Sequence, residues 1–367
     1  MNRPGSGARP GAAERARSLW GQHGGHRPSD DQDDGARNDG GQAGQRQGGQ
    51  RQGGQYRGGR RQRGEPLVVP RARFDSYYGR PVIKPPVWQS PDVPGYLFLG
   101  GLAGASSVLA GFAQLTGNHE LARVAKPAAA GAIGLSAVAL VRDLGRPERF
   151  LNMMRVFKVT SPMSVGSWLL ASYGPCAGAA AACAVTGRLP RAGALATIGA
   201  AALGPGIATY TAALLSDTAV PAWHDAHREM PYLFAGSAAS AAGGLSMLAV
   251  RPEHAGQAVR FAVLGAAVEL TAKSLLLRRL GQIAEPYQSG RPGKLMETAE
   301  VLTAAGLAGA VLAGGRSRAA TVISGAALVA ASALTRFGVF EAGFASAKDP
   351  KYTVGPQRER LRRRASS

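Results

Sequence analysis

Four windows of this chain, residues 93–118, 159–187, 192–216 and 230–250, contain no Asp, Glu, Lys or Arg at all. Each is long enough to cross the hydrocarbon core of a bilayer as a helix, which takes about 20 residues. A spanning segment must satisfy its own backbone hydrogen bonds, so an apolar run of this length reads as a helix. Four further windows, 127–141, 261–277, 301–315 and 319–335, are shorter or interrupted. They become long enough if flanking Arg and Lys side chains snorkel to the interface. The expectation is an all-α polytopic membrane protein with eight transmembrane helices.

The mean hydropathy of −0.07 hides this pattern because it averages two unlike parts. Up to about residue 85 the chain is built from Gly, Gln, Arg, Asp and Pro, too poor in aliphatic side chains to offset the entropy of ordering. The sequence thus divides into a disordered tail at 1–85, a transmembrane domain at 86–345 and a basic tail at 346–367. The formal charge of +20 sits largely in the tails and short loops, where Lys and Arg collect on the cytoplasmic side of membrane proteins. Its basic segments lack the interleaved aromatics of a single-strand binder, so no nucleic acid is expected as a partner. Residues 1–55 contain no apolar signal-peptide core, and insertion is expected to be directed by the first membrane helix.

The helices are rich in Ala and Gly, as at residues 100–105 and 177–182, which lets backbones approach closely in a compact bundle. Eight crossings place both termini on one side, and the Arg-rich tails assign that side to the cytoplasm of a cell membrane. The loops on that side, 142–161, 217–229 and 278–297, are the longest and most polar; those opposite are short. One face is elaborated and the other is plain.

Chemistry-bearing residues fall in three groups. The loop Arg142-Asp143-Leu144-Gly145-Arg146-Pro147-Glu148-Arg149 is suited to an anionic partner surface or a polar head group, or else it is a salt-linked helix anchor. The loop 217–229 sets His224 and His227 three residues apart with Asp217 and Glu229 as proton partners, and adds Arg228; a histidine there can take the proton leaving a hydroquinone. A solvated interfacial loop with Trp223 as anchor is the plainer account. Within the spans lie Glu269 with Lys273, Arg336 with Glu341, and Glu297 with Glu300. Charges at such depth form structural pairs or proton paths, and Glu269 and Lys273, one turn apart, could satisfy each other. No set of Cys and His has metal-site spacing. Cys176 and Cys183 read as small buried residues, and the six histidines all lie in the tail or loops, so neither haem nor an iron-sulfur cluster is expected in this chain.

The stretches 94–104, Asp143–Phe150, Ser161–Trp168 and Tyr210–Pro221 together resemble the NrfD and polysulfide reductase membrane-subunit family over roughly residues 86–355. The resemblance implies a haem-free subunit of two four-helix bundles that exchanges electrons between menaquinone, or another quinone, and a ferredoxin-like iron-sulfur subunit. That subunit in turn serves a molybdopterin catalytic subunit, as in formate dehydrogenase-like or polysulfide reductase-like complexes. It also implies a quinone head group near Asp92 and Tyr96, with Tyr210 as a second contact. With Asp143 and His224 these form the expected quinone site, with Arg146, Arg149 and Arg228 on the docking face. Proton transfer is expected of Asp217, Glu269, Lys273, Glu300 and Arg336. A transporter with a mid-membrane polar site is the competing class, and it would be marked by inverted repeats with broken helices.

Overall fold

Every regular element among the described residues of the computed structural model, 82–144, 148–313 and 317–366, is helical. The Gly/Gln/Arg tail expected at residues 1–85 falls almost wholly outside them. The long helices are α1 (Asp92–Leu115), α2 (His119–Leu144), α4 (Pro162–Thr186), α5 (Pro190–Ser216), α7 (Met230–Ala249), α8 (Gly256–Leu280), α10 (Gly290–Ala313) and α11 (Arg318–Lys348). Short helices α3 (Glu148–Met153), α6 (Pro221–His224) and α9 (Glu285–Gln288) sit in the connections, and α12 (Lys351–Ser366) follows the last long one.

Seven of these helices are long and apolar enough to cross a membrane. The long helix outside that set is α8, whose 25 residues carry Arg260, Glu269, Lys273 and Arg278. α2 begins eight residues before the apolar window that marked it, and it contains Pro127 in its interior. Local chemistry sets the ends. Ser161 caps α4 by accepting from the Ser164 N–H at 3.4 Å, Pro162 occupies the first turn, and Gly187 closes the helix with φ 68°. These are standard start and stop devices.

Cross-links between connections define two ends. The Gln89 N–H donates to Asp143 Oδ1 at 3.3 Å, Arg279 pairs with Glu229, Arg291 pairs with Glu341 at 3.3 Å, and the Ala222 N–H donates to Ser346 Oγ at 3.3 Å. These ties gather the starts of α1, α7 and α10 with the ends of α2, α5, α8 and α11. At the opposite end, Asn118 Nδ2 donates to His254 O at 2.9 Å, and Arg318 Nη1 donates to Met247 O and Val250 O at 2.9 and 2.6 Å.

Small residues carry the helix crossings. A Cβ on Gly104 of α1 would overlap Gly204 O of α5, and one on Gly244 of α7 would lie 2.7 Å from Gly325 O of α11. Neither crossing admits even alanine without the backbones separating. Such contact substitutes dispersion for the hydrophobic drive that lipid removes.

Candidate functional site

The first turns of α1 and the last turns of α2 and α5 leave a partly open cavity of about 100 Å³ at the elaborated end. Its polar rim comes from Tyr96, Asp143 and Tyr210, and its apolar walls include Trp88, Leu140, Met153, Met163, Leu170 and Leu215. Tyr96 is buried, with its ring edge-on to Tyr210 at 6.4 Å. Its backbone carbonyl accepts a hydrogen bond from Ser136 Oγ at 3.2 Å. Gly166 of α4 makes room for Tyr210, because a Cβ there would overlap its ring. Asp143 accepts from the Gln89 N–H, which draws the segment before α1 across the end of α2.

Trp88 also stacks on Trp223, with ring centroids 5.5 Å apart and planes 28° from parallel. Trp223 is fully buried, and its Nε1 donates to Val339 O of α11 at 2.7 Å. It is a core residue joining two parts of the fold, rather than the solvated interfacial anchor its loop position suggested. Tyr287 Oη fixes the same loop by donating to Ala222 O at 2.8 Å.

Of the residues singled out in the sequence, Tyr96, Asp143 and Tyr210 thus line one cavity. Asp92 lies at the start of α1, 3.9 Å from Arg142 Nε. His224 is not among the lining residues. It is exposed, its Nδ1 lies 3.1 Å from Ser216 O, and its ring centroid is 6.3 Å from that of His227. Glu229 does not serve the histidines: Arg279 Nε and Nη2 contact its two carboxylate oxygens, each at 2.5 Å, and Arg279 Nη2 also donates to Asp225 O. These contacts hold the Glu229 carboxyl below the ordinary carboxylate range. Asp217 is the exposed cap of α5, its N–H donating to Ala213 O at 2.9 Å. Arg228 is exposed on the same end. Arg146 lies outside the described residues, and Arg149 falls in α3 with no described side chain.

The charges within the long helices are partnered differently from the sequence expectation. Lys273 Nζ donates to Glu300 Oε2 at 2.6 Å and to Met296 O at 2.7 Å, so it turns to α10 rather than to Glu269. Glu269 instead accepts from Thr335 Oγ1 at 2.7 Å and from Ser240 Oγ at 3.3 Å. Arg336 is buried over the Phe234 ring, 3.7 Å from its centroid, while Glu341 pairs with Arg291. Helical spacing brought Glu269 and Lys273 to one face, but the neighbouring helices chose their partners.

Trp88 and Met153 escaped the sequence reading, and Met163 and Gly166 entered it only as part of the Ser161–Trp168 motif, not as cavity residues. Trp88 precedes the first apolar window, and the methionines look like ordinary core residues; only the closeness of Trp88 to Pro94 hinted at an interfacial role. Among the described residues, no three His, Cys, Asp or Glu side chains cluster so as to hold a metal ion.

No individual curated protein matches this chain. The family described as "Polysulphide reductase, NrfD" matches residues 83–277, more than half of the chain. That span includes every residue lining the cavity and five of the seven apolar helices; the other two follow it. The chain therefore belongs to the NrfD polysulphide reductase family and is a multi-pass membrane protein.

Proposed function

We propose that this protein is the quinone-reactive membrane subunit of a multi-subunit oxidoreductase, exchanging electrons between a membrane quinone such as menaquinone and an iron-sulfur partner. The observation that carries the reading is the cavity that joins Tyr96, Asp143 and Tyr210 at one end of the helices. A quinone ring needs apolar walls and one or two polar contacts at its oxygens, and this set offers both. The partner subunit docks on the elaborated end through the Arg142–Arg149 loop and Arg228, and a molybdopterin subunit lies beyond it.

In this reading α8 is an eighth crossing despite its charges. Helices α1, α2, α4 and α5 form one four-helix bundle, and α7, α8, α10 and α11 form the second. Both termini lie in the cytoplasm, and the membrane is the plasma membrane.

A bound quinone supplies two-electron, two-proton redox chemistry. Tyr96 donates a hydrogen bond from its hydroxyl to one ring oxygen and so fixes the ring in the cavity. Asp143, at the half-exposed rim, takes a proton from the reduced ring and passes it to water, while the electrons leave to the partner. Trp88 and Leu140 keep bulk water from the ring. His224, exposed beside the mouth, is a later acceptor for protons and not a ring contact; Asp217 shares that surface.

The test compares membranes carrying wild type, Tyr96→Phe and Asp143→Asn. Quinone-dependent turnover should fall at least tenfold in either variant, the cost of about 1.4 kcal/mol in the barrier. Turnover with an artificial donor to the iron-sulfur partner should persist. Wild-type quinone turnover in both variants would refute the site.

A further inference from the structure

Arg336 is fully buried along α11, yet only one of its three nitrogens is satisfied. Nη2 donates to Phe234 O at 2.7 Å, whereas Nε and Nη1 have no hydrogen-bond partner among the described residues. The same Nη2 reaches α1, where a Cβ on Gly101 would lie 3.1 Å away. Glu269 of α8 is held by Thr335, the residue before Arg336 on α11, and by Ser240 of α7. Ser237 Oγ donates to Ser332 Oγ at 2.8 Å and adds hydroxyls to the same wall. Four helices thus enclose a charged pair of groups with unused hydrogen-bonding capacity on both.

Leaving a buried donor unpaired costs about 1–3 kcal/mol, more for a charged group. Sites of this kind are where proteins hold ordered water, which makes two to four hydrogen bonds to otherwise unsatisfied groups. Each Glu269 oxygen accepts one side-chain bond here and has room for another. A water bridging Nε or Nη1 of Arg336 to the carboxylate would satisfy both partners.

One turn further along α8, Lys273 is almost buried and is paired with Glu300, whose side chain is 55% exposed. This pair therefore runs from the interior to the outer surface of the helices. The charged groups along this line are Arg336 from α11, Glu269 and Lys273 from α8 and, at the outer surface, Glu300 from α10; α7 contains no charged residue, and Asp92 of α1 lies at its far start.

We infer that Glu269 and the free N–H groups of Arg336 hold a small cluster of bound water, and that this chamber exchanges a proton with the outside through Lys273 and Glu300. In uptake, the Lys273 ammonium gives a proton to the bound water, which passes one to Glu269. The Glu300 carboxylate takes a proton from outside and hands it to Lys273, which restores the ion pair. One proton moves inward in total, and no bond changes other than those to hydrogen. Gly101 lies five residues along α1 from Tyr96, so the chamber sits about 7.5 Å deeper than the turn carrying Tyr96. The chamber is defined by its own residues and does not require a quinone.

The test uses the purified full chain in lipid nanodiscs without added quinone. A density map that resolves ordered water should place at least one water within hydrogen-bond distance of Arg336 Nε or Nη1; a dry chamber would overturn the inference. In infrared spectroscopy, the absorption lost in Glu269→Gln identifies the Glu269 carboxyl or carboxylate. That absorption should shift in heavy water, and the shift should develop severalfold more slowly in Glu300→Gln. An absorption insensitive to heavy water, or one that responds equally fast in both proteins, would overturn the relay. If Glu269→Gln does not fold, Ser240→Ala removes a single hydrogen bond to the carboxylate and should move the same absorption. Absence of that movement would also count against the chamber.

Discussion

Gly166 of α4 lies flat against the ring of Tyr210 on α5, where a Cβ would overlap the ring carbons. Gly166→Ala should therefore displace Tyr210 into the cavity or push α4 away. Overpacking of this kind costs about 1–3 kcal/mol. A thermal melt of the purified protein should report the loss of stability, and the KM for a water-soluble quinone analogue should rise. An unchanged melt and an unchanged KM would mean that α4 and α5 yield more easily than their contact implies.

Trp223 should be among the costliest single positions to truncate. Trp223→Ala opens a cavity in a fully buried site and removes the indole hydrogen bond to Val339 O, and large-to-small changes of this size cost about 3–5 kcal/mol. Trp223→Phe retains most of the volume but loses the Nε1 hydrogen bond, so its cost should be nearer 0.5–1.5 kcal/mol, about that of one net hydrogen bond. Folded yield in detergent should fall in that order.

Arg142→Ala should do little to stability. Its contact with Asp92 spans 3.9 Å and the arginine side chain is 73% exposed, and exposed ion pairs contribute about 0–1 kcal/mol. A melting temperature close to that of wild type is expected, with any defect confined to partner binding.

Acid should loosen the connection between α8 and the start of α7. Hydrogen bonds from Arg279 depress the Glu229 carboxyl in the folded protein. Its contribution to stability is therefore fully present above the unfolded value of about 4.3 and is lost as pH falls below that value through the lower folded one. Glu229→Gln should lose this part of the acid dependence while the rest of the profile survives, as measured by unfolding between pH 3 and pH 7, a window on the order of that linkage.

The spans were legible because membrane burial demands a composition that no local context can disguise, and α1, α4, α5 and α7 coincide closely with charge-free windows. α8 was harder to read, since Glu269 and Lys273 interrupt its apolar run for reasons that lie on α10 and α11. The same cause misled the pairing of those two residues: sequence spacing says which side chains share a face, and only packing says which neighbours meet that face. Tyr96, Asp143 and Tyr210 could be named from motifs, but their common cavity depends on how α1, α2 and α5 converge. Trp88 and Gly166 bear no chemical signature at all, because each acts by shape against one distant ring.

The stacking of Trp88 on Trp223 has a bearing on how the protein is made. Trp223 is secured by Val339 and by Gly343, whose bare backbone admits the indole, and both belong to the last long helix. The rim beside the first helix consequently reaches its final form only after the ribosome has delivered α11 to the bilayer. Chains stalled before that point would carry the helices that line the cavity without a finished edge.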